Sequence, residues 1–218
     1  MASKQPTHTE PVWVPGSKFA LAVNFAIEWH GNDFRKIRGE PYLGHLFGVA
    51  SLVIEYGGTE DQAIAAFLHD LLEDTKITYP TLQEVFGQKV ADMVKGCTDA
   101  TYAEKADEKK VEDAARRRAM WIARKQDYLN NLTAKTIDNP SVLVALADKV
   151  NNGEKSARDL IDDPDLFDHF NVPKEIQKWW YTELVKAFNN NNKFTDHQKV
   201  LLRRFEAAVE TIVHHIDK

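Results

Sequence analysis

The sequence predicts an all-α fold, a helical bundle formed by a single domain. Apolar residues recur with helical spacing along most of the chain, and alternating β-branched runs bounded by Asn-Gly or Asp-Gly turns are absent. A length of 218 residues with 43% hydrophobic content is enough for one compact core. We therefore expect an N-terminal extension over residues 1–16 and one domain over residues 17–218.

The first three helices have clear start and stop signals. Ser17 is a suitable N-cap for a helix that ends near Gly31. Residues 42–56 form an apolar helix that two glycines terminate. Thr59 and Gln62 form a capping box that opens the next helix, predicted to continue through residue 74.

The middle of the chain is more charged. Thr81 and Glu84 offer a second capping box, for an amphipathic helix that reaches Val94. Residues 97–107 look like a loop, and residues 108–135 predict one long surface helix. Its basic run at residues 116–118 is expected to be a solvated face.

The C-terminal part contains three further helices. A turn at residues 138–141 precedes an apolar helix over residues 142–150, which Asp148 interrupts. Breaks are expected at residues 162–164 and 171–173. Two final helices follow over residues 175–188 and 196–212, separated by residues 189–192.

Composition excludes several functional classes. A net charge of −5 and a pI near 5.9 argue against DNA or RNA as a partner, because backbone neutralisation needs a basic face. A single cysteine, Cys97, excludes an intrachain disulfide framework and fits a reducing compartment. No apolar stretch is long enough to span a membrane, and the first residues are polar. We expect a cytoplasmic protein that acts on a small molecule.

The stretch FLHDLLEDT, residues 67–75, is the most informative feature. It places His69, Asp70, Glu73 and Asp74 in a run that otherwise looks like the buried stripe of a helix. Buried carboxylates are costly without compensation, so the cluster indicates a metal ion or a catalytic pocket.

A metal at this cluster needs ligands from other helices. His45 and Asp148 are the candidates, because each lies in an otherwise apolar helix where a polar residue needs a specific partner. Together with His69 and Asp70 they provide two imidazoles and two carboxylates. This mixed donor set suits Mn²⁺, Fe²⁺ or Zn²⁺ better than Mg²⁺.

The order His, His-Asp, Asp resembles the HD phosphohydrolase superfamily. The stretches EPYLGHLFGVA, LHDLLEDT and LADKVNN are similar to three ordered motifs of the hydrolase domain in RelA/SpoT-type enzymes and in small alarmone hydrolases. The resemblance covers about residues 17–190 and implies a single HD domain. The sequence departs from the family where Leu46 replaces a proline and in the spacing of RKIRGEP, which affects loop geometry and base recognition.

The resemblance also implies roles for individual residues. One Mn²⁺, with Fe²⁺ or Zn²⁺ as alternatives, would be held by His45, His69, Asp70 and Asp148. Glu73 and Asp74 would position or activate the attacking water. Substrate would be contacted by Arg35, Lys36 and Asn152, and by the weaker candidates Arg38, Trp121, Arg124, Lys125 and Tyr181.

The function expected from this resemblance is removal of the 3′-diphosphate from (p)ppGpp or (p)ppApp, with release of pyrophosphate. One alternative keeps the site and changes the substrate to NADPH or another nucleotide. A second alternative is a regulatory scaffold that binds metal and nucleotide without turnover. Retention of Glu73 and Asp74 argues against the scaffold, because a protein that only binds does not need them. A homodimer is a further possibility that the sequence leaves undecided.

Overall fold

A computed structural model describes residues 13–135, 139–170, 172–190 and 194–218. Over these residues the all-α prediction is confirmed: the strand-like pairing found there is one isolated antiparallel bridge between Phe34 and Pro41. The described ranges form eleven α-helices and one short 3-10 helix at Leu166–His169. The α-helices are α1 (Ser17–His30), α2 (Leu43–Glu55), α3 (Glu60–Leu68), α4 (Leu71–Asp74), α5 (Tyr79–Phe86), α6 (Gln88–Cys97), α7 (Tyr102–Lys109), α8 (Ala114–Ala134), α9 (Ser141–Asp162), α10 (Lys174–Asn190) and α11 (Asp196–Ile216).

Helix α9 lies at the centre of the bundle. It packs against α2, α3, α6 and α11, and all but one of residues 141–150 in its first half are buried. A helix that is apolar on every side must be surrounded by other helices, since a single apolar stripe would need only one neighbour. The one charged side chain in the fully buried part of α9, Asp148, is therefore presented to the interior of the protein.

The predicted helix over residues 62–74 is interrupted at His69 and Asp70, which separate α3 from α4. The imidazole Nδ1 of His69 lies 2.8 Å from the carbonyl oxygen of Ala66. In a continuous helix the amide of Asp70 would donate to that oxygen. The side chain of His69 thus takes the acceptor that a helix would use. The capping box of Thr59 and Gln62 that opens α3 is confirmed.

The predicted capping box at Thr81 is wrong. Helix α5 begins three residues earlier, with Thr78 as its N-cap and Pro80 in its first turn, where proline is well tolerated. The hydroxyl of Thr81 instead lies 3.0 Å from that of Thr78. The single helix expected to reach Val94 is two helices, because Gly87 adopts a left-handed φ of 86° and ends α5.

The predicted loop over residues 97–107 is also wrong. Its second half belongs to α7, which opens with a capping box between Thr101 and Glu104. The predicted long helix from residue 108 starts only at Ala114, after the side chain of Asp113 accepts a hydrogen bond from the amide of Arg116. Helix α7 buries none of its residues, so it has no apolar stripe that sequence periodicity could detect.

Both ends of the described chain extend the core. The N-cap of α1 is Gly16, so the prediction of Ser17 is off by one residue. Trp13 donates through Nε1 to the carbonyl oxygen of Gly58 at 2.9 Å. The three C-terminal helices run further than predicted, to residues 162, 190 and 216. Residues 1–12, 138, 171 and 191–192, which belong to the predicted extension and breaks, lie outside the described ranges.

In the part of the chain that the structure describes, every helix is too short or too polar to cross a membrane.

Burial predicts that Cys97 is unreactive in the native protein. The surrounding core raises the pKa of this thiol to about 11, so almost none of it is thiolate at neutral pH. We expect slow labelling by a disulfide reagent in buffer and rapid labelling in urea. Val200→Cys adds an exposed thiol as a control, and rapid native labelling of Cys97 itself would contradict the packing described.

Truncation of Phe205 on α11 should strongly destabilise the bundle. This ring is fully buried, packs against Phe188 and lies close to Gly153 of α9. We expect Phe205→Ala to lower the free energy of unfolding in urea by about 3–5 kcal/mol. Val200→Ala on the exposed side of the same helix should change it by less than about 0.5 kcal/mol. Similar losses in both variants would contradict the central position of α9 against α11.

Candidate active site

Three buried side chains from different parts of the chain meet at one point. His45 comes from α2, His69 from the turn after α3, and Asp148 from α9, and one ligand atom of each lies within 4.8 Å of the others. Oδ1 of Asp148 lies 3.3 Å from Nε2 of His45 and 3.6 Å from Nε2 of His69. Two imidazoles and a carboxylate at this spacing form a site suited to a divalent metal ion.

Asp70 adds a second carboxylate to this cluster. Its Oδ2 lies 3.0 Å from Nε2 of His69 and 3.5 Å from Nε2 of His45. The hydroxyl of Tyr42 donates to the same oxygen at 2.6 Å. The structure therefore brings together all four residues that the sequence predicted as ligands.

The two histidines are oriented so that Nε2 of each faces the cluster. Nδ1 of His45 lies 2.7 Å from Oδ1 of Asn151, and Nδ1 of His69 lies 2.8 Å from the carbonyl oxygen of Ala66. Both acceptors take the proton on Nδ1, so Nε2 is the ring atom that a metal would bind once it has lost its own proton. Nε2 of His69 is buried, and its neighbours are the carboxylate oxygens of Asp70 and Asp148, as expected of a metal ligand.

Gly48 makes room for the residue that orients His45. A Cβ at this position would lie 2.4 Å from Nδ2 of Asn151. Any larger residue on this face of α2 would therefore displace the amide that supports His45. The short spacing between these helices is part of how the cluster is built.

The carboxylates of the cluster are ionised. Burial alone would raise the pKa of Asp148, but Lys149 and the two histidines hold it well below its ordinary value. Nζ of Lys149 lies 2.6 Å from Oδ2 of Asp148, the oxygen that faces away from the histidines. The two carboxylates also raise the pKa values of His45 and His69 against the effect of burial. Binding of a metal would therefore release protons from the histidines.

Glu73 lies beside the cluster in a different environment. Burial raises its pKa, Lys105 opposes this, and the net shift is upward. Oε1 accepts a hydrogen bond from the amide of Asp99 and Oε2 accepts one from Lys105, both at 2.7 Å. Lys105 also donates to Asp74 at 3.1 Å. A carboxyl with a raised pKa is suited to proton transfer near neutral pH.

The cluster opens into a cavity of about 600 Å³ whose wall carries eight lysine and arginine residues and seven acidic residues. The predicted substrate-binding residues that line it are Arg35, Lys36, Arg38, Lys125 and Asn152. Arg124 does not line this cavity and belongs to a neighbouring one, and Tyr181 lines neither of the two. The cavity is large enough for a nucleotide, since binding pockets of about 300–1,000 Å³ accommodate ligands of that size.

One chain of hydrogen bonds connects the cavity wall to the cluster. Arg35 donates to Oδ1 of Asn152 at 2.8 Å, and Nδ2 of Asn152 donates to Oδ1 of Asp148 at 2.6 Å. The guanidinium of Arg35 also lies over the ring of Tyr42. A ligand that binds Arg35 or Asn152 would therefore be close to the two histidines.

The remaining predicted contacts are already engaged within the protein. Arg38 pairs with Asp159 and Asp162. Both Arg124 and Lys125 pair with Asp99. Tyr181 is a buried core residue whose hydroxyl lies 3.2 Å from that of Ser156, which lines the cavity. Trp121 is half-buried and packs against Trp180.

Sequence reasoning missed four residues that shape the site. Lys149 and Asn151 lie within the motif LADKVNN, where alternation with buried apolar residues could have identified them. Lys105 was missed because it falls in the segment that was predicted as a loop. Asp99 neutralises two cations across 25 and 26 residues of sequence, a pairing with no local signal.

The helical fold and the metal-suited cluster define a class of protein. A family model described as HD domain matches residues 22–160, which is more than half of the chain. The chain belongs to the HD domain family.

Several relatives of this chain carry the same enzyme name. The chain is 31% identical over 178 residues to the guanosine-3′,5′-bis(diphosphate) 3′-pyrophosphohydrolase MESH1 of Xenopus tropicalis, covering 80% of this chain and 87% of that protein. It is 42% identical over 98 residues to the guanosine-3′,5′-bis(diphosphate) 3′-pyrophosphohydrolase of Aquifex aeolicus. That match covers 45% of this chain and 13% of the relative, so the chain spans only a small part of the bacterial relatives it matches.

Solved structures show the same fold. A metazoan orthologue of SpoT described as hydrolysing ppGpp superposes with a TM-score of 0.64 at 24% identity, covering 88% of this chain and 96% of that chain. A Listeria monocytogenes protein superposes with a TM-score of 0.58 at 24% identity, covering 80% and 97%.

Removal of the amide that orients His45 should weaken divalent metal binding. We expect Asn151→Ala to lower the affinity for Mn²⁺ by about 10–100-fold in a calorimetric titration, because groups that hydrogen-bond to a metal-binding histidine contribute on this scale. Asn130→Ala, at an exposed position of α8, is the control and should bind as the unmodified protein does. Equal affinity in both variants would show that Asn151 does not support the centre.

Proposed function

We propose that this protein is a small alarmone hydrolase. It removes the 3′-diphosphate from (p)ppGpp or (p)ppApp and releases pyrophosphate. The observation that carries the proposal is the buried cluster of His45, His69 and Asp148, which faces a cavity beside Glu73 with eight lysine and arginine residues in its wall. The names of the relatives support the same substrate class.

We assign one divalent metal ion to His45, His69, Asp70 and Asp148. The mixed nitrogen and oxygen donors favour Mn²⁺, with Fe²⁺ and Zn²⁺ as alternatives. A bound ion of this kind lowers the pKa of a coordinated water and polarises a phosphoryl oxygen. Asn151 and the carbonyl oxygen of Ala66 orient the two imidazoles toward it.

Glu73 and Asp74 handle the attacking water in this proposal. The raised pKa of Glu73 makes its carboxylate a base that accepts the water proton near neutral pH. The water oxygen forms a bond to the phosphorus attached to the ribose 3′ oxygen. The bond between that phosphorus and the 3′ oxygen breaks, and the 3′ oxygen takes up a proton. Lys105 holds both acidic side chains in place.

The cations of the cavity bind the nucleotide. Arg35 and Asn152 lie on the hydrogen-bonded path to Asp148, so we place the 3′-diphosphate there, with Lys36 alongside. Lys125 lies deeper in the wall and contributes positive charge. Arg38 and Arg124 would act from the edge, since each already has a partner within the protein. Tyr181 is a buried core residue that lines neither cavity, so a direct substrate contact stays a prediction for it.

The proposal also includes the bounds of the domain, the location of the protein and its partners. We assign the HD domain to residues 17–218 and a cytoplasmic location to the protein. The partner is a nucleotide and neither DNA, RNA nor a membrane. That two copies of the protein form a homodimer is also a prediction.

Glu73→Gln should abolish hydrolysis while substrate still binds. The amide keeps the shape of the side chain and cannot accept a proton, so we expect a loss of about 10²–10⁴-fold in kcat. The measurement is chromatographic detection of pyrophosphate and GDP from ppGpp with Mn²⁺, with and without chelator. Glu84→Gln, an exposed change on α5, is the matched control. Full activity of Glu73→Gln would exclude it as the base.

Parallel assays with ppApp, NADPH and a deoxynucleoside monophosphate separate the alternatives. Release of pyrophosphate from an alarmone supports the proposal, and the faster purine identifies the preferred base. Inorganic phosphate from NADPH or from the monophosphate would keep the metal centre and discard the alarmone assignment. Saturable binding without any product would favour the regulatory scaffold.

A further inference from the structure

A second cavity of about 550 Å³ adjoins the candidate active site. The two cavities share several wall residues, among them Lys36, Lys105, Lys109 and Phe170, so a ligand in one reaches the other. We call this second space the side cavity. Residues of α7 and α8 line it and do not line the first cavity, including Arg117, Arg118 and Trp121.

The wall of the side cavity carries more positive than negative charge. Seven lysine and arginine residues line it together with four acidic residues. Every one of the four acids has a cationic partner: Lys105 pairs with Glu73 and Asp74, while Arg124 pairs with Asp99 and Glu108. The acids of this wall therefore leave part of its positive charge unmatched.

Three of the unmatched cations have no internal partner. Within the ranges that the structure describes, Lys36, Lys109 and Arg118 form no ion pair and no side-chain hydrogen bond. Arg117 donates to the carbonyl oxygens of Val111 and Glu112, which hold its guanidinium at the start of α8 without neutralising it. These groups surround a concave space, where their fields add and attract an anion.

We propose that the side cavity binds the 5′-phosphate chain of the nucleotide whose 3′-diphosphate lies at the metal centre. The inference rests on the proposed function. A nucleotide with phosphates on both the 3′ and the 5′ oxygen projects two anionic groups from different carbons of its ribose. It needs two separate anion sites, and the adjoining cavities provide them. Arginine and lysine are the side chains that bind phosphate groups.

The purine base fits the side cavity less well than a phosphate chain does. A base needs an aromatic face for stacking. Two aromatic residues line this wall. The ring of Trp121 already lies under the ammonium of Lys125 and packs edge-on against Trp180. Phe170 packs against Phe167 and lines both cavities, so it lies where they join. The groups left without a partner are ammonium and guanidinium, which match phosphate oxygens.

The consequence is a preference for longer 5′-phosphate chains. Lys109 lines both cavities, so it would contact the 5′ phosphate next to the ribose. Lys36 also lines both cavities and would lie between this phosphate and the 3′-diphosphate. Arg118 lines only the side cavity and would contact the distal phosphates. Affinity should therefore increase from a nucleoside 3′-diphosphate to ppGpp and again to pppGpp.

The test compares charge reversal at two positions of α8. Arg118→Glu places a negative charge in the side cavity, whereas Arg116→Glu makes the same change two residues away, at an exposed position that lines neither cavity. We expect Arg118→Glu to raise KM for pppGpp at least about tenfold with kcat little changed, because a charge-assisted contact is lost. Guanosine 3′-diphosphate without 5′ phosphates should be unaffected, and Arg116→Glu should behave as the unmodified protein for every substrate.

Two results would overturn the inference. One is an equal effect of both variants, which would indicate a general change in surface charge. The other is an equal effect of Arg118→Glu on substrates with and without 5′ phosphates. Arg118→Lys should restore most of the KM, and circular dichroism checks that each variant is folded.

Calorimetric binding of GTP separates this inference from the proposed function. If the protein releases no pyrophosphate from any alarmone, the proposed reaction fails, yet GTP should still bind about tenfold more weakly to Arg118→Glu than to Arg116→Glu. Equal GTP affinities of these two variants would reject the anion site whatever the activity.

Discussion

A charged cluster buried in the centre of an apolar bundle is the constraint on which the rest of the structure depends. Asp148 lies in the part of α9 that other helices surround, and an isolated carboxylate there would be strongly destabilising. The cost is offset by four partners, since Lys149 contacts one oxygen, while Asn152 and the imidazoles of His45 and His69 approach the other. Helices α2, α3 and α9 must therefore keep one relative position.

Support for the cluster comes from polar groups that reach it through the core. Asn151 and the carbonyl oxygen of Ala66 orient the imidazoles, and Tyr42 donates to Asp70. The break between α3 and α4 belongs to the same arrangement. If the helix continued, the carbonyl oxygen of Ala66 would be used by the backbone and His69 would lose the contact that directs Nε2 inward.

The acidic residues near the site divide into two groups by environment. Asp70 and Asp148 stay ionised because the two histidines lower the pKa of each against the effect of burial, and Lys149 lowers that of Asp148 further. Glu73 has a raised pKa because burial outweighs its contact with Lys105. Groups with opposite shifts commonly take different roles, one set binding a metal and the other moving protons. Helix α7 carries Lys105, which lines both cavities, and contributes no buried residue to the core.

The sequence by itself determined the fold class, the main buried helices and the four residues of the cluster. These features depend on local patterns, such as the apolar periodicity of α2 and α9 and the cost of a lone Asp148 in an apolar run. Short elements without an apolar stripe, such as α7, gave no such signal, and the division at Gly87 depends on backbone conformation. Only the tertiary structure decided which cations line each cavity, because pairs such as Asp99 with Arg124 join residues far apart in the chain. It also decided that Tyr181 is a core residue, since burial is set by neighbouring helices that the residue's own sequence context does not specify.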